Sequence, residues 1–206
     1  MKKTLLTFVL ALVTFILHAQ DQKWSVEANY PLNVTNGSGF GEKDGILDLG
    51  IKYRFVALGL VKVGAGVNTS FLINNSNFIY GSQENPSVEF DYKSNSLLIQ
   101  PKIFAELSLP GFPKLKPQVG LGYSLIIDDA YFKDGDNVIF DESDTDGGLN
   151  LNLGLSYDIS KRLFIQIQYD YFNIYRKGET NIDDVTVPYD FKENTGLLKA
   201  GVGFRF

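Results

Sequence analysis

The feature that most constrains this chain is a repeated alternation of apolar residues with charged or small ones. From Leu198 to Phe206 every second residue is apolar. The residues between them are Lys199, Gly201, Gly203 and Arg205. A period of two places the apolar residues on one face of a strand and the others on the opposite face.

Seven earlier segments repeat the pattern, so the sequence predicts eight strands. The alternations run through 24–32, 47–55, 61–71, 97–107, 119–127, 149–157, 163–171 and 198–206. Each covers about 9–12 residues, the length at which a tilted strand crosses a bilayer. Pro101 is the one misfit, because proline cannot donate a ladder hydrogen bond, and we expect a bulge or a weakened strand pair there.

A targeting segment precedes the strands. Lys2 and Lys3 form a basic start, and an uncharged apolar stretch follows from Leu5 to Leu17. It is too short for a good membrane-spanning helix and predicts a signal peptide over 1–19, cleaved after Ala19 and followed by one domain over 20–206. The mature chain would contain no Cys and no His and would carry 17 Lys and Arg against 24 Asp and Glu, a net charge of −7. Packing or membrane burial must therefore stabilise it, not disulfides.

The connections between the predicted strands alternate between short and long, which is typical of outer-membrane barrels. We expect the long polar connections, centred on Gly39, Asn85, Asp136 and Asp184, to lie outside the cell, and Lys114 and Lys161 in the short turns to face the periplasm. The third long connection, Asp128 to Gly148, is strongly acidic.

A soluble eight-stranded barrel would also alternate, but its apolar face would point inward. Here the polar face is rich in glycine, which weakens strands and suits a crowded lumen better than a solvated exterior. The glycines are Gly50, Gly64, Gly66, Gly120, Gly122, Gly154, Gly201 and Gly203. Aromatic residues near the strand ends fit interfacial girdles. The predicted fold is an all-β, eight-stranded antiparallel up-and-down transmembrane barrel.

The signal segment, the eight strands and the terminal Phe204-Arg205-Phe206 resemble the small outer-membrane barrels of the outer-membrane protein A and X type. The resemblance implies an integral outer-membrane protein surrounded by outer-membrane lipids and lipopolysaccharide. It also implies that Phe204 and Phe206 form part of the signal read by the barrel-assembly machinery. It carries no site-specific motif, so it names no extracellular ligand.

Function is less constrained than fold. Enzymes of this architecture resemble one another in using a His base, which the mature chain lacks, so the sequence indicates a non-enzymatic barrel that supports the envelope or makes surface contacts. A narrow conduit for ions or small solutes is the alternative, since eight strands leave an interior just filled by side chains. No cofactor and no nucleic-acid partner are expected.

Charged residues on the polar face predict a network that fills the lumen, because an unpaired buried charge is costly. The candidates are Glu27, Asp48, Lys52, Arg54, Lys62, Lys102, Glu106, Asp170, Lys199 and Arg205. Strand order predicts that Glu27 pairs with Arg54 or Arg205, and that Asp170 pairs with Lys199.

The acidic connection also suggests a weak calcium site. Asp134, Asp136, Asp144 and Asp146 offer hard oxygen ligands. They do not match the spacing of an EF-hand loop. A solvated acidic surface, or divalent cations that bridge it to anionic lipid headgroups, explains the same residues.

Overall fold

Eight long strands make up the protein. The computed structural model describes residues 22–34, 43–80, 88–134, 137–182 and 185–206. The strands are β1 (Trp24–Asn33), β2 (Asp44–Leu58), β3 (Val61–Tyr80), β4 (Val88–Leu107), β5 (Leu115–Asp134), β6 (Asn137–Asp158), β7 (Leu163–Ile182) and β8 (Val185–Arg205). No helix among these residues is long and apolar enough to cross a membrane. The predicted signal segment, 1–19, lies outside the described residues.

Each strand pairs antiparallel with its neighbours in sequence, and β8 pairs with β1, so the sheet closes into a barrel. Paired residues followed from Arg205 around all eight strands return to β8 at Thr195, a stagger of ten residues. Strand number, stagger and tilt are linked, and a stagger of this size corresponds to strands tilted by about 35–45° from the barrel axis. The predicted eight-stranded antiparallel barrel is therefore confirmed.

The apolar face points outward. None of the residues on the apolar face of the eight predicted alternations is buried, whereas the residues between them are mostly buried in the interior. An exterior of Leu, Ile, Val and aromatic side chains suits lipid and would be unfavourable in water. The apolar-inward arrangement of a soluble barrel is thus excluded.

Three of the four long polar connections of the sequence are mostly strands. The expected third connection, Asp128 to Gly148, is a β-hairpin in which β5 ends at Asp134 and β6 begins at Asn137. Alternation disappears there because neither face meets lipid, so the pattern no longer reports the strand. The four positions on which the connections were centred, Gly39, Asn85, Asp136 and Asp184, lie outside the described residues.

The opposite end of the barrel carries both described chain ends and the tight turns. Gly59, at a φ of 61°, makes the turn between β2 and β3, where a side chain would be strained. Pro101 keeps its pair with Val67 of β3. Towards β5, however, the pairs pass from Ile99–Leu125 to Lys102–Gly122 without one at Pro101. The strand pair is weakened at the proline, as predicted.

Candidate functional site: the barrel lumen and its mouth

The inward-facing side chains form successive layers from the turn end of the barrel to the hairpin end. In the first layer, Arg54 contacts Glu106 at 2.8 Å, and Arg205 contacts Asp158 and Glu106, the latter at 3.7 Å. The Arg205 guanidinium also lies 4.2 Å from the centre of the Phe164 ring. These charges form a partnered network across the turn end.

Glycine makes room for the aromatic rings of this layer. Gly203 is paired with Phe164 across the β7–β8 ladder, and Gly64 is paired with Phe104 across β3–β4. A Cβ at Gly203 would stand 2.1 Å from a carbon of the Phe164 ring. The glycines of the inner face therefore leave space for neighbouring side chains in a crowded lumen, as the sequence suggested.

The second layer contains the buried pair Lys52–Glu27, 2.8 Å apart. Glu27 also accepts a hydrogen bond from Gln168 at 3.1 Å. The predicted partners of Glu27, Arg54 and Arg205, are wrong, because the register places both arginines nearer the turn end, beside Glu106.

Lys102 and Lys62 differ from the other predicted network residues, since neither forms an ion pair with a residue that the structure describes. Lys102 is buried, and its Nζ donates to Gln168 at 3.4 Å. Lys62 is half-buried at the turn end. The sequence alone could not distinguish these two lysines from the paired ones, because the ion-pair partners of a lumen residue lie on other strands.

In the third layer the Lys199 ammonium lies between two carboxylates, 2.7 Å from Asp48 and 2.7 Å from Asp170, and all three side chains are fully buried. Lys199 also donates to Gln100 at 2.6 Å. The Asp170–Lys199 contact joins the neighbouring strands to which the sequence assigned these residues. Asp48 accepts further bonds from neutral donors. These come from Asn29, Asn68 and Ser70, at 2.7, 2.8 and 2.6 Å.

Above the charges lies an apolar plug that the sequence analysis missed. Its six side chains, each 0 or 1% exposed, are Leu72, Leu98, Ile126, Phe172, Ile174 and Leu197. All occupy inward positions. The signal was present as local breaks in the alternation, where consecutive apolar residues replace apolar–polar pairs. The breaks include Phe71-Leu72-Ile73, Leu97-Leu98-Ile99, Leu125-Ile126-Ile127 and Leu197-Leu198.

The mouth at the hairpin end is organised around Arg176, beyond the lipid-facing alternation of β7. Its guanidinium contacts Asp146 at 2.6 Å, Glu193 at 2.7 Å and Asp128 at 3.4 Å, so it joins β5, β6 and β8 to β7. Lys43 contacts Asp128 at 2.7 Å. Burial opposes the charge of Arg176, yet the hydrogen bond and charge of Glu193 raise its pKa. Burial raises the pKa of Asp146, although Arg176 partly offsets this.

Of the suggested calcium ligands, the structure describes the side chains of Asp144 and Asp146 only. Asp144 is exposed on β6, Asp146 is engaged by Arg176, and Asp134 ends β5. Asp136 lies outside the described residues. Within the described ranges, no three acidic or His residues are arranged to hold a metal ion.

The terminal aromatics lie where β8 meets β1. The backbone N–H of Phe206 donates to the Trp24 carbonyl at 3.0 Å, and the N–H of Trp24 donates to the Phe206 carbonyl at 3.1 Å. Phe204 and Phe206 are both half-buried. The terminal residue is therefore part of the seam that closes the barrel, whatever its part in assembly.

A closed barrel with an apolar exterior, a filled lumen and tight turns at one end defines a transmembrane β-barrel of the bacterial outer membrane. The model of the outer membrane protein beta-barrel domain family matches residues 7–206. The chain belongs to that family. Following the usual orientation of this class, we call the turn end periplasmic and the hairpin end outer.

Solved structures of the same fold are distant in sequence. The attachment invasion locus protein Ail of Yersinia pestis, solved with the heparin analogue sucrose octasulfate, has 17% identity and a TM-score of 0.46 over 89% of this chain and 96% of that one. OprG of Pseudomonas aeruginosa has 12% identity and a TM-score of 0.47 over 89% and 92%. The protease OmpT of Escherichia coli has 12% identity and a TM-score of 0.44 over 78% and 63%. These likenesses concern the fold alone, and no curated protein sequence matches the chain.

Proposed function

We propose that this protein is a non-enzymatic, non-conducting outer-membrane barrel that supports the envelope and makes contacts at the cell surface through its protruding hairpins. The observation that carries the proposal is the length of the strands. β3 to β8 contain 20 to 22 residues each. A tilted strand needs only about 9–11 residues to cross the bilayer. Roughly half of each strand is therefore available outside the lipid.

The protruding part offers unpaired strand edges. Pairing between β6 and β7 ends at Gly147–Tyr175. Beyond that point β6 pairs only with β5, as far as Asn137, and β7 pairs only with β8, as far as Ile182. The facing edges, 137–143 on β6 and 177–182 on β7, thus form no ladder with each other in the described pairings. Such edges accept an extended segment of a partner by strand addition.

Charge suggests what kind of partner fits. The β5–β6 hairpin carries acidic residues against a single lysine, Lys133. The acids are Asp128, Asp129, Asp134, Asp136, Asp141, Glu142, Asp144 and Asp146. A basic, extended peptide segment on another protein is complementary to this hairpin, whereas a nucleic acid or an anionic glycan would be repelled.

The interior argues against the conduit. Three charged layers and the apolar plug lie in series along the axis, and the Arg176 cluster covers the plug. Passage of an ion would require displacing buried apolar side chains together with paired charges, which is unfavourable. The buried carboxylates are engaged by cations and amides, and none of the described lumen residues is placed as a general base next to an open cavity.

Conductance and adhesion measurements test the two halves of the proposal separately. Refolded mature protein in a planar bilayer should give no steady single-channel current, and a stable conductance would favour the conduit. For surface contact, the outer part of the β5–β6 hairpin, 130–142, is replaced by an Asn-Gly turn. Cells that express this variant should adhere less to protein-coated surfaces than cells with the full barrel.

Insertion of the shortened protein is verified by its heat-dependent shift on a gel, the expected behaviour of a closed barrel. Equal adhesion of cells with the full and shortened barrels, both inserted, would refute the contact role of this hairpin.

A further inference from the structure

A groove of about 670 Å³ runs across the lipid-facing wall from β1 to β5. Its lining includes the short side chains of Ala65 and Pro101 and the backbone of Gly122. On the side nearest β1 the rings of Trp24 and Tyr53, 4.6 Å apart between centroids, form its edge. The groove has the volume of a small-molecule site, and it opens into hydrocarbon.

The ladder between β4 and β5 is interrupted at this groove. The pairs stop at Ile99–Leu125 and resume at Lys102–Gly122. The register is the same on both sides of the gap, so no extra residue has been inserted. What the gap lacks is the N–H of Pro101, and the two pairs that are absent are those that require this donor.

The missing donor leaves one backbone acceptor unpaired. Pro101 keeps its pair with Val67 of β3, and without an N–H this can only be a non-hydrogen-bonded pair. The backbone groups of Pro101 therefore point towards β5. The residue opposite is Tyr123, which also lines the groove, and its carbonyl would accept the absent N–H. None of the hydrogen bonds between residues that the structure describes gives this carbonyl another donor.

An unpaired carbonyl is costly at this depth. Pro101 lies near the middle of 97–107, the lipid-facing part of β4, where water is not available to replace the donor. A hydrocarbon chain in the groove would leave the Tyr123 carbonyl unsatisfied, whereas a molecule with a hydroxyl group would satisfy it.

We propose that the groove binds an apolar, hydroxyl-bearing small molecule from the bilayer. Its O–H donates to the Tyr123 carbonyl. Its apolar body lies over Ala65 and Pro101, and the rings of Trp24 and Tyr53 favour a flat or aromatic body at the edge of the groove.

Two matched probes test the hydrogen bond. Para-octylphenol carries an O–H, and para-octylanisole, its methyl ether, does not. The mature protein is refolded into vesicles of phosphatidylcholine with brominated acyl chains, which quench Trp24, the single tryptophan of the chain. Both probes should displace brominated chains from the groove and restore the fluorescence of Trp24. The phenol should do so at a roughly tenfold lower mole fraction, the contribution of one hydrogen bond.

A second measurement observes the carbonyl directly. Tyr123-Ser124 is the only Tyr-Ser pair in the sequence. Labelling tyrosine carbonyls with ¹³C and serine amides with ¹⁵N therefore selects this single carbonyl in solid-state NMR. The phenol should move its ¹³C resonance downfield, as an accepted hydrogen bond does, and the ether should leave it in place.

Variants separate the hydrogen bond from the groove. Pro101→Val supplies the missing N–H, so it should remove the preference for the phenol while the ether still binds. Ala65→Leu fills the groove and should abolish displacement by both probes. Pro117→Val is the matched control and should keep the preference, because Pro117 lies outside the groove, beyond the last β4–β5 pair at Gln118.

Equal displacement by the phenol and the ether in the unmodified protein would overturn the proposal. A preference for the phenol that survives Pro101→Val would also overturn it, because the Tyr123 carbonyl would then not be the acceptor. Weak quenching of Trp24 before any probe is added would show that a second copy of the barrel covers the groove, and this result would likewise count against a small-molecule site.

Discussion

Replacing Lys199 by methionine should severely destabilise the barrel. Lys199 is fully buried and neutralises Asp48 and Asp170, each 2.7 Å away. Methionine preserves the length of the side chain but leaves two carboxylates without their shared cation. Removing one member of a buried ion pair typically costs about 3–5 kcal/mol. The cost here should reach the upper part of that range, because two buried carboxylates would then repel each other.

The two carboxylates should differ in how well a second substitution rescues the first. Asp48 retains three neutral hydrogen-bond donors in the absence of Lys199. Asp170 retains one direct donor, Asn152 at 2.6 Å. Asp170→Asn in the Lys199→Met background should therefore restore much of the lost stability. Asp48→Asn should restore less, because the new amide would meet donors where it needs acceptors and Asp170 would stay charged.

The measurement is urea unfolding of the refolded proteins in lipid vesicles, followed by the heat-dependent gel shift and by Trp24 fluorescence. Lys177→Met, an exposed lysine-to-methionine change on the outer part of β7, is the matched control and should leave the unfolding midpoint unchanged. The reasoning is refuted if Lys199→Met unfolds at the midpoint of the unmodified protein, or if both double variants recover equally.

Three other predictions concern topology, packing and assembly. In intact cells an impermeant thiol reagent should label Asp144→Cys and leave Lys114→Cys unlabelled, because the first is exposed on a hairpin and the second lies in a short periplasmic turn. Gly203→Ala should destabilise the barrel by about 1–3 kcal/mol in urea unfolding, since its Cβ would overlap the Phe164 ring. Deletion of Phe206 should cost modest stability in vesicles, where two backbone hydrogen bonds to β1 are lost, but should lower membrane insertion in cells much more.

Each of these has a simple control or contrary result. Labelling at Lys114→Cys without labelling at Asp144→Cys would reverse the topology. Gly111→Ala is the packing control, since a Cβ there meets nothing within 4 Å. Normal insertion of the chain without Phe206 would leave this residue as part of the interface and closing seam only, and would remove its proposed role as an assembly signal.

The strands inside the lipid were predictable because lipid imposes a strict rule on them. Each outward position must be apolar, so the period of two in 198–206 and in the seven earlier segments reports both the strand and its outward face. Pro101 was predictable for the same kind of local reason, since a missing N–H weakens a ladder in any barrel. The outer halves of the strands were not predictable in this way. Neither of their faces meets lipid, so neither face has to be apolar and the alternation is lost.

The sequence by itself determined that the chain would form eight strands, which face of each would meet lipid, and that charges would fill the interior. Only the tertiary structure decided which charges meet. The partner of Glu27 is Lys52 and not an arginine because a stagger of ten residues sets the depth of each strand against its neighbours. The plug also depends on the tertiary structure. Leu72, Phe172 and Leu197 are far apart in sequence and form one apolar layer only when the barrel closes. Pairing and packing across strands depend on this register, which no single strand contains.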